Sequence, residues 1–584
     1  MALLDKGNGF TNLFAEVFLS ELDYIKKRRE DVDLDPQPVI EEHKRLSSKL
    51  LDGTETVSQD PSRVAPQTPI RPSAKSELIG LALSGGGIRS ATFNLGVLQG
   101  LARRGVLRCC DFLSTVSGGG YIGACLSSLL DDTGFSVEEE KFPFRFQRKI
   151  KPDERKTVKH LREHGNFLAV KGTFLEYARM LGTFVTGLIL SNLFPVSLLV
   201  FCGWGFHVLA NIEDYPENIK NICFIVSLCI LGLMVVIRGY GATLRREPDI
   251  QSRIRAQNLN GVLAGILVIS VGTGLVILLA INWAEAKVWV VNIISGISIG
   301  SVLGLLAGLI KSKNEGLNKA LSVFFRIGWI LLLPILFAWM LRCLAVLKAY
   351  NEQWLFITLS VAALLFILSL LIDINRTSLH HFYRDRLSEA YIIKVDRSKN
   401  SDKRVVSNET LRLSQLHEKK NGAPYHLINT TLNVPASTDR YLRGRGADLF
   451  LFSKNYVGSE VTGYRETEKY NGGKTRLATA MAISGAAASP QMGNATNKAL
   501  RFLLTLLNVR LNRWMPNPNP DITRTDKTVL WPVYLIRELL GKNKESNKLL
   551  NLSDGGSRGL PAFKEALPSY HCFGCRGRSW FFNE

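Results

Sequence analysis

Three short stretches hold the residues whose types and spacing could do covalent chemistry. Ser117 stands in Thr115-Val116-Ser117-Gly118-Gly119, between the apolar run Asp111–Val116 and the helix-spaced segment Tyr121–Leu130. Small residues after a serine at a strand end permit a strained turn that projects the hydroxyl. A helix N-terminus behind it favours developing negative charge. Thr115 replaces the leading glycine of the usual Gly-x-Ser-x-Gly, so a Gly-rich phosphate loop or a plain turn is an open alternative. The second stretch is Gly85-Gly86-Gly87-Ile88-Arg89. Consecutive glycines let backbone N–H groups converge on an anion, either the oxyanion of acyl transfer or a nucleotide phosphate. No Gly-Lys-Ser/Thr follows, and Ser90 occupies the third-glycine position of Gly-x-Gly-x-x-Gly, so neither nucleotide fingerprint is met. The third is Asp554-Gly555-Gly556, whose glycines permit a turn exposing a carboxylate; in isolation such a stretch is usually a loop.

Strand, turn and helix follow one another twice around the first two stretches. Leu78–Leu83 is a short apolar run entering the glycines, and Ala91–Arg103 has helical spacing through Phe93, Val97, Leu98 and Leu101. Asp111–Val116 and Tyr121–Leu130 repeat the pattern, which predicts a parallel α/β sheet.

Composition bounds the remainder. The chain has 584 residues, 21% charged and 46% hydrophobic, which excludes disordered, collagenous and small disulfide-built classes. Its formal net charge is +21 and its mean hydropathy +0.08, a pairing that points to a membrane face before nucleic acid. No compact array of aromatic and basic residues supports nucleic acid as a partner. Nine cysteines form no disulfide framework. Cys572-x-x-Cys575 with His571 falls short of the four ligands a zinc site needs, and His380-His381 reads as an interfacial or helix-packing pair; no metal is expected.

Six apolar runs occupy the middle: Leu181–Ile212, Asn221–Ile237, Ala256–Ala284, Val288–Ile310, Ile327–Leu341 and Gln353–Ile372. A bilayer crossing takes about 20 residues of helix, so an inserted bundle of about six transmembrane helices is expected. Basic loops around Arg238–Arg255 and Lys311–Arg326 alternate with acidic or neutral ones. By the positive-inside rule both polar halves then lie on the cytoplasmic side of an integral, multi-pass protein.

The stretches Leu83–Arg89, Ser114–Tyr121 and Ser553–Gly556, in that order, resemble the patatin-like phospholipase family. Ser378–Arg384, Leu427–Asn433 and Met481–Pro490 extend the likeness, which covers about 76–180 and 375–556 and is nearest the large, multi-pass membrane branch. The resemblance implies an α/β patatin-like hydrolase domain, mainly a parallel sheet flanked by helices, split by the inserted transmembrane bundle. It implies a Ser–Asp dyad: Ser117 as nucleophile, Asp554 as base, and no cofactor. Gly85, Gly86, Gly87 and Arg89 would form the oxyanion hole, and Gly118 and Gly119 the elbow. Membrane lipids would be substrate and environment; protein partners are unknown. Ser84 stands where many relatives have Asp, affecting loop support, and Thr115 where many have Gly, crowding the elbow.

The tail departs further. Residues 557–584 read as a poor helix and a poor strand, whereas codons exist for Ser557–Trp580 whose shifted frame spells a family-like helix and buried strand. A frameshift near Gly555–Ser557 is therefore expected, leaving the sheet edge unpaired, Asp554 poorly held and hydrolysis slow or absent. The expected organisation is an N-terminal helix and polar linker at 1–75, catalytic halves at 76–180 and 375–556, the membrane block at 181–374 and the atypical tail. Two rival functions stay open: an inactive membrane interaction protein on a damaged hydrolase scaffold, and a channel or transporter.

Overall fold

The computed structural model describes residues 14–55, 73–145, 155–165, 174–210, 352–396, 404–416, 421–491, 501–525 and 531–555, short gaps within these aside, Val226 and Cys229, and strands at 571–576 and 579–581. The chain divides into two units, Met1–Ser191 with Leu371–Glu584, and Asn192–Leu370. The first unit holds all three stretches singled out above.

Its main sheet has ten strands, eight of them in the order β12-β11-β1-β2-β5-β6-β7-β8. These are β1 (Ile79–Leu83), β2 (Phe112–Thr115), β5 (Tyr425–Asn433), β6 (Ala447–Phe452), β7 (Tyr456–Ser459), β8 (Gly463–Glu466), β11 (His571–Arg576) and β12 (Ser579–Phe581). Strand β10 (Leu549–Asp554) pairs with β5 and with β9 (Arg513–Pro516), while β3 (Ile393–Asp396) and β4 (Arg404–Ser407) form a separate ribbon. Among the described residues, only the β11–β1, β1–β2 and β2–β5 ladders are parallel. The sheet is therefore mixed rather than mainly parallel. Three-residue connections, 453–455 and 460–462, return β7 and β8 as hairpins, and turns that short join only antiparallel neighbours.

Helix α3 (Gly87–Arg103) follows β1, and α4 (Ser117–Leu130) follows β2. Every residue of α4 is buried, and Ala124, Cys125, Leu126 and Leu129 join the principal core. That burial explains why its sequence is apolar or small on all sides instead of amphipathic.

The N-terminal segment contributes α1 (Phe14–Asp31) and α2 (Gln37–Glu55). The expected Pro-rich linker is thus partly helix: Pro36 immediately precedes it and Pro38 falls in its first turn, where a missing N–H costs nothing, and Val39 and Leu46 are buried. Arg28 and Arg29 meet the fully buried Asp111 at 3.3 and 2.8 Å, and Asp111 also accepts from the Ile79 N–H at 3.0 Å. One carboxylate thereby fixes α1 to the entry of both β1 and β2. Removing a partner from such a buried pair typically costs about 3–5 kcal/mol.

Two expectations are corrected here. Among the described residues, no helix is long and apolar enough to cross a membrane, which overturns the inserted transmembrane bundle and the integral, multi-pass, cytoplasm-facing placement built on it. The expectation counted uncharged residues, and uncharged length does not by itself define an unbroken apolar helix. Within the expected runs, the helix Phe174–Ala210 carries Thr183, Thr186, Ser191, Asn192, Pro195 and Ser197, and Glu352–Leu371 carries Gln353, Thr358, Ser360 and Ser369. The runs Asn221–Ile237, Ala256–Ala284, Val288–Ile310 and Ile327–Leu341 lie outside the described residues, Val226 and Cys229 apart. The second correction concerns the tail. The edge of β1 is not unpaired, because β11 lies parallel to it from Ile79↔His571 to Leu83↔Cys575. The alternation in Cys572-Phe573-Gly574-Cys575 is short, but a parallel ladder asks only for five residues in register.

Candidate active site

Ser117 sits at the first position of α4 with φ 50°, in the left-handed region that a non-glycine residue enters only under constraint. Val116 before it is extended (φ −144°, ψ 140°), so the chain turns sharply between strand and helix. Ser117 is buried, and its N–H donates to the Ser484 hydroxyl at 3.0 Å.

The glycine turn after β1 lies against it. Gly86 and Gly87 have φ 142° and 66°, conformations that side chains resist, and α3 begins there. A methyl group on Gly85 would stand 2.9 Å from Ser117 Cβ and 3.6 Å from its Oγ. A methyl on Gly118 would lie 2.0 Å from the Gly87 carbonyl oxygen, and one on Gly119 would lie 2.2 Å from that of Leu83. The two turns thus touch backbone to backbone, which is why both are glycine. Arg89 is exposed, in the first turn of α3. Ser84 does help hold the loop, though through its backbone: its carbonyl accepts from Ser90 Oγ at 2.5 Å and Asn94 Nδ2 at 3.4 Å.

Asp554 ends β10. Register places it near: Thr115 lies opposite Ile428 on β5, and Asp554 lies opposite Thr430, two residues further on. Its carbonyl accepts from Thr431 Oγ1 at 2.9 Å and its N–H donates to Ala486 O at 3.4 Å. A methyl on the adjacent Gly555 would be 2.6 Å from Val116 Cγ2, beside the nucleophile candidate. Gly556 lies outside the described residues. Ser117, Gly85, Gly86, Gly87, Gly118, Gly119 and Asp554 therefore gather at one end of the sheet, with Arg89 at its rim.

Thr115 does not crowd the turn. Its side chain is buried, with Oγ1 2.9 Å from His426 Nε2, and it packs over Gly123, where a methyl would be 2.6 Å from its Cγ2. The second ring nitrogen, His426 Nδ1, is 2.9 Å from Ser127 Oγ, so the ring spans β2 and α4. Burial pushes His426 down from 6.5 to about 3. The folded protein then keeps it neutral while the unfolded chain takes up a proton below 6.5. Stability from this residue is full above 6.5 and is lost as the pH falls toward 3, by about 1.4 kcal/mol per pH unit. His426→Gln should show a correspondingly flatter fall in urea-unfolding free energy between about pH 6 and 4 than the wild type; parallel slopes would contradict this.

Sequence reasoning missed a hydroxyl pair beside Asp554. Tyr121, on α4, bonds Tyr383 of the helix His380–Tyr391, and Tyr383 donates to Gly485 O at 2.8 Å. Burial raises both phenols, Tyr121 to about 12, and the negative charge of Asp554 adds to the rise in both. Both are protonated at neutral pH. The aromatic residue ending Ser117–Tyr121 was the available signal. His380 is packed as expected, fully buried with Nδ1 2.7 Å from Leu511 O. Among the described residues, no group of three or more His, Cys, Asp or Glu is placed to hold a metal ion. A cavity of about 440 Å³ at the far end of α4, lined by Asp131, Asp132, Lys394 and Asp396 among others, shares no residue with the site.

Residues 81–190 match the family model of the patatin-like phospholipases, a domain that supports lipid acyl hydrolysis in general. The matched span contains both glycine turns and Ser117. No curated protein and no solved structure matches the chain.

Proposed function

We propose that the chain is a serine-dependent lipid acyl hydrolase acting on (phospho)lipid acyl esters through Ser117 and Asp554. Ser117 Oγ attacks the ester carbonyl carbon, and Asp554 takes the hydroxyl proton. The carbonyl oxygen becomes an oxyanion, met by N–H groups of Gly85, Gly86 and Gly87, with Arg89 offsetting charge at the rim. Collapse breaks the ester C–O bond, the leaving alcohol takes the proton from Asp554, and an acyl-serine remains. Water, activated by Asp554, then releases the carboxylic acid and restores the hydroxyl.

The observation that carries this reading is the placement of Ser117: left-handed, at a helix N-terminus, with Gly85 packed on its side chain. A glycine turn meant for nucleotide phosphate has no need of a strained serine facing it. The tail supports activity rather than loss, since β11 fills the edge beside β1. The test is labelling of the full chain by a fluorophosphonate. The wild type should react at Ser117 and lose esterase activity in proportion; folded protein that turns over ester without labelling there would overturn the proposal.

A further inference from the structure

We propose that Ser484 is a positioning residue that holds the nucleophile's backbone and registers it against the carboxylate, an assignment that rests on the reading of Ser117 as nucleophile. Ser484 ends the helix Leu477–Ser484 and is fully buried. Its hydroxyl accepts from the Ser117 N–H at 3.0 Å and donates to the Asn429 carbonyl at 2.7 Å. A hydroxyl has one proton, and the carbonyl of Asn429 uses it, so the bond from Ser117 has a fixed direction.

Asn429 is tied to both sides of the site. Its Nδ2 donates to Ser114 Oγ at 2.8 Å and to Thr115 O at 3.0 Å, on the strand leading to Ser117. Its carbonyl oxygen lies 2.6 Å from where a methyl on Gly555 would stand, next to Asp554. Two residues after Ser484, the Ala486 carbonyl accepts from the Asp554 N–H at 3.4 Å. A single hydroxyl therefore joins the strained N–H of Ser117 to the carbonyl against which the Asp554 turn is packed. Without it, Ser117 keeps its side chain but loses the bond that opposes relaxation out of the left-handed conformation. A misplacement of about 1 Å at a reacting group can cost on the order of 100-fold.

The test compares Ser484→Ala, Ser484→Cys and Ser484→Thr with Ser117→Ala in the full chain, on phosphatidylcholine in mixed micelles, with fluorophosphonate labelling rates alongside. Ala and Cys should lower kcat by roughly 10–100-fold, leave KM within about twofold, and slow labelling in parallel. Thr, which keeps the hydroxyl, should recover most of the loss. A Ser484→Ala kcat within twofold of wild type, a Thr variant as poor as Ala or Cys, or a loss confined to KM would each overturn the proposal. Should Ser484→Ala not fold, the Thr-against-Cys comparison decides the same point. Failure of the parent reading is told apart by Ser117→Ala: activity there removes the nucleophile itself, whereas an inactive Ser117→Ala beside an unaffected Ser484→Ala removes only the positioning role.

Discussion

Asp554→Asn should lower kcat for ester hydrolysis by on the order of 10⁴-fold while the protein stays folded. Asn has the same shape but cannot take the Ser117 proton. Two of the bonds that place this residue in β10 come from its backbone: the carbonyl to Thr431 and the N–H to Ala486. They survive the substitution, as does the register with Thr430. The check is kcat beside a thermal unfolding curve. A large loss with an unchanged midpoint fits a base; a loss of both would make Asp554 a structural residue. Residual activity within tenfold of wild type would remove it from the chemistry.

Gly118→Ala should be the most damaging single methyl among the described glycines of the first unit. The added carbon would stand 2.0 Å from the Gly87 oxygen and 2.8 Å from both the carbon and nitrogen of that residue. Backbone atoms on both sides cannot swing away as a side-chain tip would. Either α4 moves or the glycine turn opens, and each displaces the N–H groups assigned to the oxyanion. Loss of one such donor typically costs about 10²–10³ in rate, so at least that loss, or failure to fold, is expected. Gly96→Ala supplies the control: nothing lies within 4 Å of its added carbon, in the middle of α3. It should keep full activity and gain roughly 0.5–1 kcal/mol from helix propensity. Kinetics and urea unfolding of the pair measure both effects, and equal behaviour would refute the packing argument.

The sequence showed what is local. Three glycines after an apolar run, and a serine between a strand and a helix, are decided by neighbours a few residues away, and β1, α3, β2 and α4 formed where the spacing put them. Asp554 was legible only through the resemblance, because Asp-Gly-Gly is a common loop; its place at the same end of the sheet as Ser117 comes from the β10–β5 and β2–β5 registers. Ser484 and Asn429 fall in stretches that extend the resemblance, yet neither they nor His426 stood out as site residues from local spacing. Their partners lie 367, 315 and 311 positions away, and only chain pairing brings them together. Thr115 illustrates the same limit: a bulky residue at an elbow reads as crowding until Gly123 and His426 make room and supply a partner for it. The apolar middle misled for the opposite reason, since absence of charge was counted while the polar uncharged residues within the runs were not weighed. Strand β11 was missed because six residues with two cysteines and a glycine carry little strand character alone, and its pairing partner β1 is about 490 positions earlier in the chain.

The central claim is that an acyl group passes through Ser117. Rapid acid quench of the wild type during phospholipid turnover, followed by mass analysis of the peptide bearing Ser117, tests it most directly. An acyl mass on that hydroxyl, absent from an inactive Ser117→Ala protein, is the predicted result. Undiminished hydrolysis by Ser117→Ala, with no adduct on the wild-type peptide, would contradict it.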